Sequence, residues 1–488
     1  MYNFQYNNQI ECEDFVLPFG GKLNENNRWV KLAKIIPWQE IEKEYSKCFT
    51  NLTRGCKALP ARVALGTLII KEQLGLSDRE TVALINEHPY LQYFLGFCSF
   101  MDEIPIDHSL LTHFRKRFSE ESLKHINEMI IKNSAQKSHT ETKDSDDEPP
   151  ENKGKLIVDA TCTPADIKYP TDLNLLNEAR EKTEEIIDKL HQGDISKQKK
   201  PRTYRRKARK EFLKVAKQKK PSGKTIRKAI GKQLTYLARN LKNINIYATR
   251  GKLILLSAKE YRTLLIVNEL YSQQKYMYEN KTHVVPNRIV SLSQPHIRPI
   301  VRGKTHSPTE FGAKISVSLA DGFSSVSKIS WENFNESTDL TNQVEAYRNI
   351  HGYYPKSVHA DKIYRTKANR NFCETNNIRL SGPKLGRPKS VTNENSAELK
   401  REKAIQRQDE LDRNAIEGKF GQGKRRFSLS RIMTKLATTS VTTIIISFIV
   451  MNLEKLVSSF SFLSLFFLQF LIYFSWKIRV SNKNYATS

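Results

Sequence analysis

Residues 156 to 161 read LIVDAT, and the fold turns on this stretch. A short, wholly apolar run bounded by polar residues reads as a buried strand, and a carboxylate at its end, Asp159, leaves the core where a site can form. KSVHAD closes on Asp361 in the same way. If these two strands lie side by side in a mixed sheet, both carboxylates emerge at one edge. GAKISVSLADGFSSVSKISWE holds two alternating runs separated by Asp321 and Gly322, a hairpin signal. STDLTNQVEAYRNIHG puts Leu340, Val344, Tyr347 and Ile350 on one helical face, with Ser337 as the expected cap. A helix in TKANRNFCETNN, a strand in IRLSG and a helix in AELKREKAIQRQDELDRNAIEGKF come after it. The order is strand, large insertion, strand, strand, helix, strand, helix, strand, helix, which predicts an α/β fold.

Working outward, residues 57 to 133 carry helical spacing, and residues 1 to 133 read as an all-helical N-terminal domain. Ser77 with Glu80 is a capping-box pair that starts a helix near Asp78, and Pro89 interrupts the helical pattern after it. Asp107 is the expected cap of HSLLTHFRKRF, whose Arg115, Lys116 and Arg117 form a basic tip. Two short helices joined this way suit either a helix-turn-helix DNA reader or a small bundle with solvated basic residues. Residues 134 to 154 are polar, acidic and proline-containing, a flexible linker. Residues 155 to 455 form the next domain, with a long helical insertion at about 172 to 280.

The formal charge is +28, from 80 Lys and Arg against 52 Asp and Glu, an excess that draws polyanions such as nucleic acid or an anionic membrane. Residues 197 to 232 hold 17 Lys or Arg, Arg205, Arg206 and Lys207 among them, against Glu211 alone. Such a run is either a solvated face or a phosphate contact, and its density favours the contact. The six cysteines form no CxxC pair and no zinc spacing, which argues against a disulfide framework and points to reduced thiols in a cytosolic chain. The N-terminus has no secretory pattern. Residues 456 to 476 carry no charge and have the length of a membrane span, yet five serines and a glutamine favour burial on a core, and a membrane partner is not expected.

Glu417 lies in RNAIEGKFGQGKRR, where Arg413, Glu417 and Lys424 have the spacing Arg-x3-Glu-x6-Lys. Carboxylates from three elements over one sheet repel unless divalent cations neutralise them. Oxygen ligands with open positions suit Mg²⁺ or Mn²⁺, and two such ions roughly 3.5–4 Å apart serve in-line phosphoryl displacement. Arg413 and Lys424 can then hold phosphates, one as a fork and one as a point charge. Arg298, Arg302 and Lys304 precede a strand and suit either the DNA backbone or a plain basic loop. His359 reads as structural, and Cys162 has no base beside it.

LIVDATCTPADIKYPTDLNLLNEAR, RIVSLSQPHIRPIVRGK, EFGAKISVSL, SVHADKIYRT and DRNAIEGKFGQGKRR together resemble a bacterial insertion-sequence transposase of the DDE type, nearest to the IS-five group. The resemblance runs over most of the chain. It implies a ribonuclease-H-like core in which Asp159, Asp361 and Glu417 hold two Mg²⁺ ions. It further implies cleavage of double-stranded DNA at the element's terminal inverted repeats and joining of the 3′-hydroxyl to a target. A homo-oligomer on DNA, in the cytoplasm with the nucleoid, goes with that reading. The broader signature has a tyrosine three residues before the arginine, where this chain has Glu410. A non-catalytic DNA-binding relative and a membrane-associated protein are the alternatives.

Overall fold

The strand that begins at Lys155 continues to Pro164 (β1) in the computed structural model, which describes residues 10–11, 13–18, 20–49, 57–138, 151–192, 199–301, 309–382 and 396–458. Asp159 therefore lies in mid-strand and not at a strand end. Thr161, Cys162 and Thr163 are small or β-branched, fit a pleated surface and are buried, so the strand outlasts its apolar run. The chain forms two compact units: Met1–Thr163 with Ile315–Ile329 and Phe334–Ser488, and Pro164–Lys314 with Ser330–Asn333.

In the first unit, among the described residues, seven helices precede β1: α1 (Arg28–Ile35), α2 (Trp38–Ser46), α3 (Ala61–Leu74), α4 (Asp78–Glu87), α5 (Pro89–Phe94), α6 (Leu110–Arg117) and α7 (Glu120–Ser138). The capping box at the head of α4 is formed by both Ser77 and Glu80, and Pro89 opens α5. Asp107 does not cap α6. Its Oδ1 accepts from the Ser109 N–H (2.9 Å) and hydroxyl (2.5 Å), and the helix starts only at Leu110. The linker expected from residue 134 begins later, since α7 continues to Ser138; residues 139–150 lie outside the described residues.

The other elements run in order: α8 (Asp172–Gln192), α9 (Arg205–Ala216), α10 (Gly223–Thr249), α11 (Ala258–Glu279), β2 (Arg298–Val301), β3 (Thr309–Ala320), β4 (Phe323–Ser330), α12 (Leu340–His351), β5 (Ser357–His359), α13 (Lys367–Thr375), β6 (Arg379–Leu380), α14 (Ser396–Arg426) and α15 (Ala437–Ser458). β1 lies between β3 and β5, β6 lies beyond β5, and β4 pairs with β3. Asp321 (φ 47°) and Gly322 (φ 75°) both take left-handed backbone, the turn that matches strand twist in a two-residue hairpin. β1 and β5 run parallel, with Lys155 opposite Ser357, Leu156 opposite Val358 and Ile157 opposite His359. Leu156, Val158 and Val358 bury one face of this sheet against Leu340, Val344 and Tyr347 of α12. Ile350 is only half-buried, and Ser337 is no helix cap: it lies inside a 3-10 turn, Glu336–Asp339, that leads into α12.

α15 is long and apolar enough to cross a membrane, and most of it is buried inside the protein. Its buried serine, threonine and asparagine side chains are bonded within the protein, so it behaves as a core helix. The charge-free segment expected at 456 to 476 lies outside the described residues from 459 onward. Asn452 of α15 joins three elements. Its Oδ1 accepts from the Ser324 N–H (2.8 Å), and its Nδ2 donates to the Ser324 carbonyl (2.8 Å) and to Asn127 Oδ1 on α7 (2.8 Å).

In the second unit, Leu175, Leu176 and Ala179 of α8 pack on Leu234 and Leu237 of α10 and on Val267 and Leu270 of α11. Arg180 is buried there and donates to Glu184 (2.5 Å), Asn177 (2.7 Å) and Gln233 (3.2 Å). Cys48, Cys98, Cys162 and Cys373 are free thiols.

Asn452→Leu should destabilise the protein by about 2–4 kcal/mol, because each buried polar group left without its partner costs about 1–3 kcal/mol. Urea unfolding followed by circular dichroism measures this.

Candidate active site

The β1–β5 ladder builds the site. The paired register ends at Ile157–His359; Asp159 lies two residues further along β1, and Asp361 two residues past His359. Asp361 stands just past β5 as the cap of a second 3-10 turn, Lys362–Tyr364, and its Oδ1 accepts from the Lys362 N–H (2.7 Å). Its side chain is 58% exposed, and Arg413 Nη1 lies 3.2 Å from its Oδ1. Asp159 is half-buried, and its Oδ1 accepts from the Ala160 N–H (2.8 Å). Burial pushes its carboxyl up to about 6. The Ala160 N–H opposes that rise, the charge of Glu336 adds to it, Arg413 opposes it and Asp361 adds to it.

α14 crosses these acids and is pinned on both sides of them. Asp409 is buried and takes two N–H bonds from Arg379 of β6 (2.7 and 2.8 Å). One helical turn later Arg413 meets Asp361. Further on, Lys424 Nζ donates to the Thr161 hydroxyl (3.1 Å), two residues along β1 from Asp159. Glu417 falls between these two anchors, with its side chain exposed. The structure does not gather it with the two aspartates: among the described residues, no group of three His, Cys, Asp or Glu side chains stands ready to hold a metal ion. The donors at Asp159 and Asp361 are nonetheless hard oxygens. Hard carboxylate oxygens of this kind suit a divalent cation.

A cavity of about 580 Å³ opens beside Asp361, lined by Lys362, Arg365, Arg407, Glu410 and Arg413 among others. Arg365 is fixed by donating to the Leu380 and Ser381 carbonyls. Glu410, at the position where the family signature has a tyrosine, faces this cavity.

The other expected site residues divide by burial. Arg115 is not part of a basic tip, since it is buried and paired with Asp78 through two bonds (2.9 and 2.5 Å). Arg117 donates to the Tyr45 hydroxyl (3.0 Å) and lies over the Phe49 ring, while Lys116 is exposed. Arg205 is held by both oxygens of Asp188 (2.6 and 2.9 Å), whereas Arg206 and Lys207 are exposed. Arg298 is half-buried and donates to the Pro295 carbonyl (2.5 Å), and Arg302 and Lys304 lie outside the described residues. His359 is structural: it is buried, with Nε2 2.9 Å from the Ser357 hydroxyl and Nδ1 3.5 Å from Asp409. Cys162 is wholly buried. Sequence reading missed Glu336 and the Arg379–Asp409 pair. Asn335, a turn-capping residue, was the only local signal for Glu336.

Residues 358–454 match a family model described as Transposase DDE domain, and residues 18–117 match one described as Transposase domain (DUF772). The first match spans Asp361, Arg413, Glu417 and Lys424; Asp159 precedes it. The chain is also similar to an uncharacterized protein, ORF8 in the nfe locus of Rhizobium meliloti, with 31% identity over 153 residues, which is 31% of this chain and 69% of that protein. No solved structure matches the chain.

The raised Asp159 carboxyl sets a pH dependence. A carboxyl near 6 when folded and near 4 when unfolded holds its proton more tightly in the folded state, so stability is lost as pH rises through that window. Asp159→Asn removes the penalty. In the presence of a chelator the variant should be more stable than the parent by up to about 3 kcal/mol at pH 8 and by almost nothing at pH 4. Melting curves at the two pH values check this.

Proposed function

The chain belongs to the DDE-type insertion-sequence transposases, and from that premise we propose that it cuts DNA at the terminal inverted repeats of its element and joins the 3′-hydroxyl to target DNA. The observation that carries this reading is the parallel β1–β5 register, which leaves Asp159 and Asp361 each two residues beyond its last pair, under a helix bearing Arg413, Glu417 and Lys424. The core is read as ribonuclease-H-like and the group as IS-five. Asp159, Asp361 and Glu417 would hold two Mg²⁺ or Mn²⁺ ions, which when bound supply the charge that activates a hydroxyl and stabilises the departing oxygen. Arg413 already lies on Asp361 and is placed to grip a phosphate with its remaining N–H groups. Lys424 adds a point charge on the β1 side.

DNA binding beyond the site falls to cations that the fold leaves exposed. Lys116 is one, and Arg206, Lys207, Arg209 and Lys210 of α9 are others. Arg205 and Arg115 serve the fold through Asp188 and Asp78. Assembly as a homo-oligomer on DNA, with the nucleoid in the cytoplasm, completes the proposal.

Asp159→Asn, Asp361→Asn and Glu417→Gln should each reduce strand cleavage at the element's ends by at least about a thousandfold, the loss expected when one member of a unit is removed. DNA binding should stay within a few-fold of the parent. A gel assay of cleavage with and without Mg²⁺, beside a binding titration, reads both. Cleavage by Glu417→Gln at the parent rate would remove Glu417 from the site. A parent that binds the ends without ever cutting them would favour the non-catalytic reading.

Replacing Arg206, Lys207, Arg209 and Lys210 by glutamine should weaken binding about equally on all sequences. The slope of log affinity against log salt should flatten by about 0.9 for each phosphate that the variant no longer neutralises. Titrations at several salt concentrations measure it, and an unchanged slope marks α9 as a solvated face.

A further inference from the structure

Three elements of the first unit enclose the cavity beside Asp361: the turn that follows β5, Ser381 and Gly382 after β6, and α14. β5 and β6 run parallel, so the cavity lies outside the carboxyl ends of adjacent parallel strands, where open sheets of this kind take their ligands. Spacings of three and four put Arg407, Glu410 and Asn414 on the face of α14 that lines it. Lys362 and Arg365 line it from the β5 side.

Arg365 is built into this wall. It is half-buried, and its Nη1 donates to the carbonyls of Leu380 (3.0 Å) and Ser381. Gly382 makes room for it: its φ of 100° is left-handed backbone that glycine takes without strain, and a Cβ there would stand 3.2 Å from Arg365 Cδ. The guanidinium is therefore fixed before any ligand arrives, so little freedom is lost when it binds an oxyanion. Among the described residues no carboxylate pairs with Lys362, Arg365 or Arg407, whereas Arg413 is taken by Asp361 and Asp409 by Arg379. Three uncommitted cations thus share the cavity with one uncommitted acid, Glu410. A phosphate is the group that neutralises such an excess. At about 580 Å³ the cavity also has room for the sugars that flank a phosphate in a strand.

We propose that this cavity seats a backbone phosphate next to the scissile one, and that Arg365, Lys362 and Arg407 are positioning residues that fix where along the strand the acids act. This rests on the transposase reading. It goes beyond that reading by assigning a phosphate site on the β6 side of the acids, from residues that neither the Asp-Asp-Glu pattern nor the Arg-x3-Glu-x6-Lys spacing includes. A phosphate contact of this kind sets register and reads no bases.

The test is a cycle between protein charge and DNA charge. A duplex carrying an end of the element is made with a single neutral methylphosphonate linkage, walked along the strand, and its binding is measured to the full-length parent and to the double variant Lys362→Gln, Arg407→Gln. Both side chains are exposed, so the fold does not depend on them. At one linkage the neutral group should weaken parent binding about tenfold and the variant by less than about twofold, because the contact it removes is already gone. Lys367→Gln, which replaces an exposed cation of α13 outside the cavity, should keep the parent's loss there. If the parent binds and cuts the ends while the double variant shows the parent's loss at every linkage, the proposal is overturned and the transposase reading stands. A parent that does not bind the ends overturns both. Pyrophosphate binding without DNA, read by calorimetry, separates a free anion from the strand. Pyrophosphate affinity that falls about tenfold in the double variant, with no coupled linkage on DNA, would assign the cavity to a free anion and overturn the DNA assignment.

Discussion

The parallel ladder between β1 and β5 is the constraint on which the site depends. Three residue pairs hold it, from Lys155 with Ser357 to Ile157 with His359. Side chains alternate across a strand, so a slip of one residue would turn Asp159 to the opposite face. The slip is resisted because Leu156, Val158 and Val358 would leave the α12 side of the sheet at the same time. Register and core are thus one requirement. A carboxylate that burial makes costly to ionise is held in place by apolar neighbours that cannot move without exposing their own surface to water.

α14 depends on that ladder in turn. Asp409 reaches Arg379 only because β6 lies in register beside β5, with Arg379 opposite Ser357. Arg413 and Lys424 then meet Asp361 and Thr161 at fixed offsets along the helix. The helix acts as a ruler laid across the sheet, and its charged side chains are spaced by helical rise.

The 321–322 hairpin and the Ser77 capping box were legible in the sequence because each rests on local chemistry: a turn pair, a cap. The whole length of β1 was not. LIVDAT loses its apolar character at Asp159, while the strand is carried onward to Pro164 beside β3. Arg115 read as a surface cation because a string of basic residues looks solvated, and only the fold brings Asp78 against it. Glu336 and Asp409 were hidden for the same reason. An acid in a polar stretch has no periodicity to betray it, and its partners are distant in sequence. α15 was hidden differently: its buried serine, threonine and asparagine side chains bond to backbone and to partners on other elements, which masks a core helix.

The bond between Asn127 and Asn452 spans 325 residues of chain. During synthesis α7 leaves the ribosome long before its partner exists, and β4 waits with it. The second unit, drawn almost wholly from the uninterrupted stretch Pro164–Lys314, needs nothing from that late segment to close its own core. The second unit's core therefore contains no residue from beyond Asn333, whereas α7 and β4 of the first unit wait for a bond to α15. A product broken off before residue 437 would keep the charged helices and leave Ser324 and Asn127 without their partner. Such a fragment would keep the basic helices while lacking α15, which supplies the Asn452 bonds to Ser324 and Asn127.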